Sequence, residues 1–135
     1  MKIIFVGDIV GKSGRDAIAN NISIIKNKYN PDAIVVNAEN AASGYGLTKK
    51  IALELFTLGV DVITLGNHAW DQREMLSYIE EQPKIVRAIN YPKGVPGRGD
   101  YKLILVDGRI LIVMQVMLRL FIGISLDDPF YLIKE

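Results

Sequence analysis

Asp8, Glu39, Asn67 and His68 are the residues with the most chemistry to offer, and each stands shortly after an apolar run of the chain. Ile3-Ile4-Phe5-Val6 leads into Gly7-Asp8, residues 33–36 lead into Asn37-Ala38-Glu39-Asn40, and residues 60–65 lead into Gly66-Asn67-His68. Runs of this kind read as buried parallel strands. In an open sheet of such strands, ligands bind beyond the carboxyl ends. Adjacent strands would therefore gather carboxylates, amides and an imidazole on one rim. Carboxylate and amide oxygens suit hard cations, and imidazole suits Mn, Fe, Zn or Ni. A carboxylate can bridge two ions about 4 Å apart, an arrangement that cleaves phosphoesters by activating water and neutralising phosphoryl charge. An imidazole beside the metals can instead protonate the leaving oxygen as a general acid.

Each residue also has a plainer reading. Asp8 can be a loop residue or a helix cap, and Glu39 an exposed loop carboxylate. Asn37, Asn40 and Asn67 can be turn formers. His68, the only histidine, can be structural or solvated. Their shared placement at strand ends favours the joint reading. Tyr45, in a glycine-containing loop, is a candidate to stack on a base. Trp70 is expected to pack the loop after the third strand and Asp71 to cap the next helix, with no catalytic role for either. Gly11-Lys12-Ser13 resembles the end of a phosphate-binding loop. The position where that motif requires its first glycine is Val6, and Gly7 lies one residue too close. Lys12 is placed instead at the start of the first helix, near enough to assist a phosphate.

The elements that must position these groups follow from periodicity. Ala17, Ile18, Ile22, Ile25 and Tyr29 recur at helical steps, and Asn30-Pro31-Asp32 stops that helix. Thr48 is a plausible N-cap for a second helix carrying Ile51, Leu55 and Leu58, with Gly59 at its left-handed C-terminal cap. Asp71 and Glu74 have capping-box spacing for a third helix, which Gln82-Pro83 ends. Residues 88–99 read as a Pro/Gly-rich loop, and Asp107-Gly108 between apolar runs is a hairpin signal. The fold class is α/β: parallel strand–helix repeats, with an antiparallel hairpin added at one side.

Composition narrows the function classes. The 135 residues suit one domain. Sixteen basic and fifteen acidic residues give a net charge of +1, so no nucleic-acid-coating surface is expected. The absence of cysteine excludes disulfides, thiolate zinc sites and cysteine nucleophiles. The chain begins directly with a strand-like run, without a signal peptide pattern. The apolar stretch 110–126 is interrupted by Gln115 and Arg119, and reads as a buried strand followed by an irregular tail rather than a membrane span.

Longer ordered motifs carry a resemblance. Gly7-Asp8-Ile9-Val10-Gly11-Lys12, Asn37-Ala38-Glu39-Asn40-Ala41-Ala42, Gly44-Tyr45-Gly46-Leu47-Thr48 and Thr64-Leu65-Gly66-Asn67-His68-Ala69-Trp70-Asp71 resemble the YmdB-like family of calcineurin-type metallophosphoesterases. Asn90-Tyr91-Pro92 and Pro96-Gly97-Arg98-Gly99 fit it too, as does Leu126-Asp127-Asp128-Pro129-Phe130. The resemblance implies a bacterial, cytoplasmic phosphodiesterase acting on cyclic nucleotides, either 2′,3′-cyclic nucleotides or cyclic AMP. It implies an α/β sandwich around two divalent metal ions, iron or manganese, with zinc an option. Under it Asp8 ligates one ion, Glu39 bridges both, Asn67 ligates the second and Asn40 lies in or beside the ligand shell. His68 becomes the general acid or a transition-state stabiliser and not a metal ligand; Lys12 and Tyr45 stay candidates to contact substrate on the reading of the residues alone.

The departure from the family pattern sets a competing expectation. Its members are about twice this long and draw further histidine ligands from their second half, whereas no histidine follows His68. Residues 1–135 are therefore expected to form one truncated domain, half of the sandwich, with an incomplete metal site and residues 113–125 as a divergent apolar tail. Activity would be weak, or the chain would be a non-catalytic remnant or scaffold. A half-sandwich leaves an apolar face uncovered. The tail from Ile110 is expected to fold over that face or to pair with another copy, and the chain to self-associate as a homo-oligomer.

Overall fold

Short apolar runs and helical stretches alternate along the chain as the sequence dictates. The computed structural model describes residues 1–133. Its order is β1 (Ile3–Val6), α1 (Gly11–Tyr29), β2 (Ala33–Asn37), α2 (Lys49–Thr57), β3 (Val62–Thr64), α3 (Met75–Glu81), β4 (Ile85–Val86), β5 (Asp100–Ile104), β6 (Ile110–Met114) and α4 (Pro129–Leu132). Strands β1 to β4 lie side by side in chain order, all parallel. Val6 pairs with Val36, and Asn37 with Thr64, so the first three strand ends are level. The two-residue β4 has no counterpart in the sequence reading. Ile85-Val86 is too short to show a period and is recognisable only by its pairing with Ile63 and Thr64.

Side chains alternate between the two faces of the sheet. Ile34, Val36, Ile63, Leu65 and Ile85 point to one side, where Ile18, Ile22, Ile51, Leu55 and Ile79 of the helices meet them. Val35, Val62 and Val86 point to the other. That second face carries the hairpin. Strands β5 and β6 form a separate antiparallel sheet, and Val113 packs there with Tyr101, Leu103 and Leu111. The hairpin is therefore a layer on the sheet rather than an extension of its side, tied to it by the isolated bridges Val86–Arg98 and Ala88–Gln115. So part of the apolar stretch after Ile110 does fold over the open face. Among the described residues no helix is long and apolar enough to cross a membrane. Residues 110–126 are β6 followed by largely irregular chain.

The helix ends test the sequence reading closely. Asn30 caps α1 in the left-handed region at φ 44°, with its N–H on the Lys26 carbonyl. Thr48 caps α2, its hydroxyl accepting from the Ile51 N–H at 3.2 Å, and Gly59 follows that helix at φ 91°. The expected capping box of α3 is absent. Helix α3 begins at Met75, after Glu74, with no side-chain cap. Glu74 instead accepts the Lys49 N–H at 2.9 Å, so its charge serves the start of α2.

The segment after β6 is held by one buried residue. The Asn90 side chain donates to the carbonyls of Met117 (2.8 Å) and Asp127 (3.2 Å) and accepts the Met117 N–H at 3.1 Å. Its own carbonyl accepts the Asp127 N–H at 2.8 Å. Met117 and Leu126 pack there on Ala88 and Tyr91.

Candidate active site

The carboxyl ends of β1, β2 and β3 build one rim, and backbone bonds beyond the strands hold its loops together. Ile9 donates to the Asn37 carbonyl at 3.2 Å, Gly11 to Asn40 at 2.9 Å and Ala38 to Thr64 at 3.1 Å. Asp8 and Asn40 are thereby brought together: the Asn40 amide donates to the Asp8 carboxylate at 2.6 Å. The loop after Glu39 closes on itself through Gly46 N–H to the Glu39 carbonyl (2.7 Å) and Ala42 N–H to the Gly46 carbonyl (2.9 Å). Gly46 lies against the next rim segment. A side chain there would meet the His68 carbonyl at 3.1 Å and Asp71 at 3.2 Å.

Glu39 sits half-buried between those loops. Among the described residues its carboxylate takes two long hydrogen bonds, from the Asn37 amide and the His68 N–H, each at 3.4 Å. The amide oxygen of Asn37 is buried without a hydrogen-bond partner among the described residues. A half-buried carboxylate and an orphaned acceptor are costly unless a donor or a cation meets them. Gly66 makes the space: a Cβ at that position would lie 2.5 Å from a Glu39 carboxylate oxygen. Asn67, exposed, follows Gly66 on the same rim. The donors Asp8, Glu39, Asn40 and Asn67 are all oxygen-bearing, which fits a hard divalent cation. Among the described residues no group of three or more His, Asp and Glu side chains forms a complete cage. The residues fit one side of a metal site.

His68 is fixed by a contact the sequence reading assigned elsewhere. Its Nδ1 lies 2.5 Å from the Asp71 carboxylate. Asp71 thus orients the imidazole and does not cap α3. The reason is the turn between β3 and α3, which brings the two residues face to face before the helix begins. The Tyr45 ring stands edge-on to His68, with centroids 5.9 Å apart, and the Gln72 amide holds the Tyr45 carbonyl at 2.7 Å. Tyr45 is largely exposed, so its ring face is open. Lys12 is at the start of α1 as expected, but its ammonium pairs with Asp16 at 2.5 Å on an exposed surface.

Behind the rim lie residues with no individual role in the sequence reading. Tyr91 is buried, donates to the Gly66 carbonyl at 3.3 Å, and packs on Trp70 with centroids 4.6 Å apart. Burial pushes its hydroxyl above the usual tyrosine range, and the charges of Glu39 and Asp71 push it further against the opposing effect of Arg87. Arg87 is itself lowered by burial. The Asn90-Tyr91-Pro92 motif marked this stretch, but only the fold puts the phenol under Gly66.

This rim and the fold that carries it match known proteins. The family model described as YmdB-like protein matches residues 4–135. The chain belongs to the YmdB-like family. It is 43% identical over 130 residues to the 2′,3′-cyclic-nucleotide 2′-phosphodiesterase of Bacillus subtilis (strain 168), a match covering 96% of this chain and 48% of that protein. Two crystal structures superpose closely. One, a hypothetical protein from Thermus thermophilus, gives a TM-score of 0.90 at 40% identity over 99% of this chain and 51% of that one. The other, a novel phosphatase from Mycoplasma pneumoniae, gives 0.91 at 32% identity over 99% and 49%. The chain spans about half the length of the relatives it matches, and its architecture is correspondingly half of that of the solved ones.

Proposed function

We propose that this chain supplies the carboxylate–amide side of a divalent-metal phosphodiesterase site acting on small cyclic-nucleotide phosphodiesters. The observation that carries the reading is the under-bonded Glu39 carboxylate beside the orphaned Asn37 oxygen, on a rim shared with Asp8, Asn40, Asn67 and His68. The name of the Bacillus subtilis relative supports the substrate class. Asp8, Glu39, Asn40 and Asn67 would hold iron or manganese, with zinc an option. When bound, the metal supplies an activated water and neutralises phosphoryl charge.

The rest is done by side chains of this chain. With Nδ1 engaged by Asp71, which fixes the orientation of the ring, His68 would offer Nε2 to the leaving oxygen as general acid. The open face of Tyr45 can stack on a base, beside the imidazole. Gly66 keeps the Glu39 carboxylate unobstructed.

The test is metal content, together with hydrolysis of bis-p-nitrophenyl phosphate and 2′,3′-cyclic AMP in added Mn²⁺ or Fe²⁺, for wild type and Glu39→Ala. Metal-dependent turnover and binding that Glu39→Ala abolishes are expected. A second reading, a non-catalytic scaffold that keeps the fold, is favoured by the lack of a complete ligand cage among the described residues. It predicts no metal, no turnover, and an effect of Glu39→Ala on stability alone.

A further inference from the structure

Tyr91 lies beneath the rim and takes no part in the chemistry proposed above. A ring that only packs is served as well by phenylalanine, because a buried hydroxyl is costly unless it is bonded. Tyr91 is buried, and both its parts are engaged on the same short turn. Its hydroxyl donates to the Gly66 carbonyl at 3.3 Å. Its ring packs on Trp70, with centroids 4.6 Å apart. Gly66 and Trp70 stand at the two ends of the segment that carries Asn67 and His68, and Asp71 follows directly. Tyr91 itself is fixed from below, in the cluster with Ala88, Met117 and Leu126.

The turn needs such a grip because of what occupies its first position. The Glu39 carboxylate excludes a side chain at residue 66, where a Cβ would stand 2.5 Å from Oε2. Glycine is thereby imposed, and glycine has the least restrained backbone of any residue. Among the described residues no backbone N–H reaches the Gly66 carbonyl, so the restraint falls to the phenol. Holding that carbonyl holds more than one atom. The peptide is planar, so the direction of the carbonyl sets the direction in which the chain enters Asn67. One residue on, the His68 N–H meets the Glu39 carboxylate at 3.4 Å, and the His68 ring meets Asp71. We propose that Tyr91 is a positioning residue of the site: by gripping residues 66 and 70 it fixes where Asn67 and His68 are presented beside Glu39 and Asp71. Its effect on metal binding rests on the reading of the rim as a metal site, whereas its grip on the turn does not.

Tyr91→Phe in the full chain is the test, because it keeps the ring on Trp70 and removes only the hydroxyl. Thr48→Ala, which loses the cap of α2, controls for stability lost elsewhere. His68 is the chain's only histidine, so its imidazole signals are identified in NMR spectra without ambiguity. In metal-free protein, Tyr91→Phe should speed exchange of the His68 N–H about fivefold, the scale of one lost hydrogen bond. It should also move the ring-nitrogen signals away from those of an imidazole fixed on Asp71. Mn²⁺ affinity measured by calorimetry should fall by about the same factor. Thr48→Ala should keep the wild-type ring signals and Mn²⁺ affinity. Wild-type exchange and ring signals in Tyr91→Phe, or the same changes in Thr48→Ala, would overturn the proposal. No Mn²⁺ binding by the wild type would remove the metal reading alone, and the metal-free signals would still decide whether Tyr91 holds the turn. Circular dichroism checks that both variants are folded. Should Tyr91→Phe not fold, the wild type decides: a slowly exchanging Tyr91 hydroxyl proton close to the Gly66 α-protons supports the grip, and its absence removes it.

Discussion

Glu39 is held by what is missing around it: few donors on its carboxylate and no side chain at Gly66. Gly66→Ala should therefore act as a metal-site mutation. The added Cβ must push the carboxylate aside at a cost of about 1–3 kcal/mol for an overpacked site, and calorimetry should find Mn²⁺ affinity reduced well beyond the loss of stability. Tyr91 gives a pH signature. Its folded-state value is raised, so past about pH 10 the unfolded chain releases this proton while the folded one keeps it. Stability then falls as pH rises. Tyr91→Phe should be less stable by about 1 kcal/mol at pH 8, with the gap narrowing toward pH 11 in urea titrations. At this scale the sequence revealed the residue types and missed their partners. Asp8, Glu39 and Asn67 were legible because each follows a strand. The Asp71–His68 pair was not, because a carboxylate near a helix start looks the same whether it caps the helix or turns back to an imidazole.

Elements were legible where a local physical cause acts alone. Thr48 caps α2 through its own third neighbour, and Asn30 ends α1 through its own backbone, so both could be read from a short window. Glu74 could not. It lies in the sequence beside α3 but lends its charge to the first turn of α2, across the fold. Two substitutions separate these cases. Thr48→Ala should destabilise the chain by about 1 kcal/mol. Glu74→Ala should cost a similar amount, and hydrogen exchange should speed up in α2 for both variants rather than in α3 for the second. The hairpin illustrates the same limit. Asp107-Gly108 announced its turn, yet which face it would cover was decided by Val35, Val62 and Val86, far away in sequence.

For the whole molecule, the half-fold is arranged as helices, sheet and hairpin, and the path of the chain after β6 depends on Asn90. Asn90→Ala would strand the buried main-chain N–H and carbonyl of Met117, each worth about 1–3 kcal/mol when unsatisfied, and release the part-buried Asp127 carbonyl. Limited proteolysis should then cut between residues 116 and 128 while β1 to β4 stay intact. The sequence marked this stretch only as apolar and unlike the family, because a clasp made of backbone atoms leaves no pattern in side chains. The same clasp is blind to the letters it holds. Asn90 grips carbonyls and an amide that every residue except proline can present, while Leu118, Leu120 and Phe121 between the grips are 63%, 73% and 98% exposed. This stretch can thus drift in composition, or carry a tag at residues 118–121, and still be delivered to the same place.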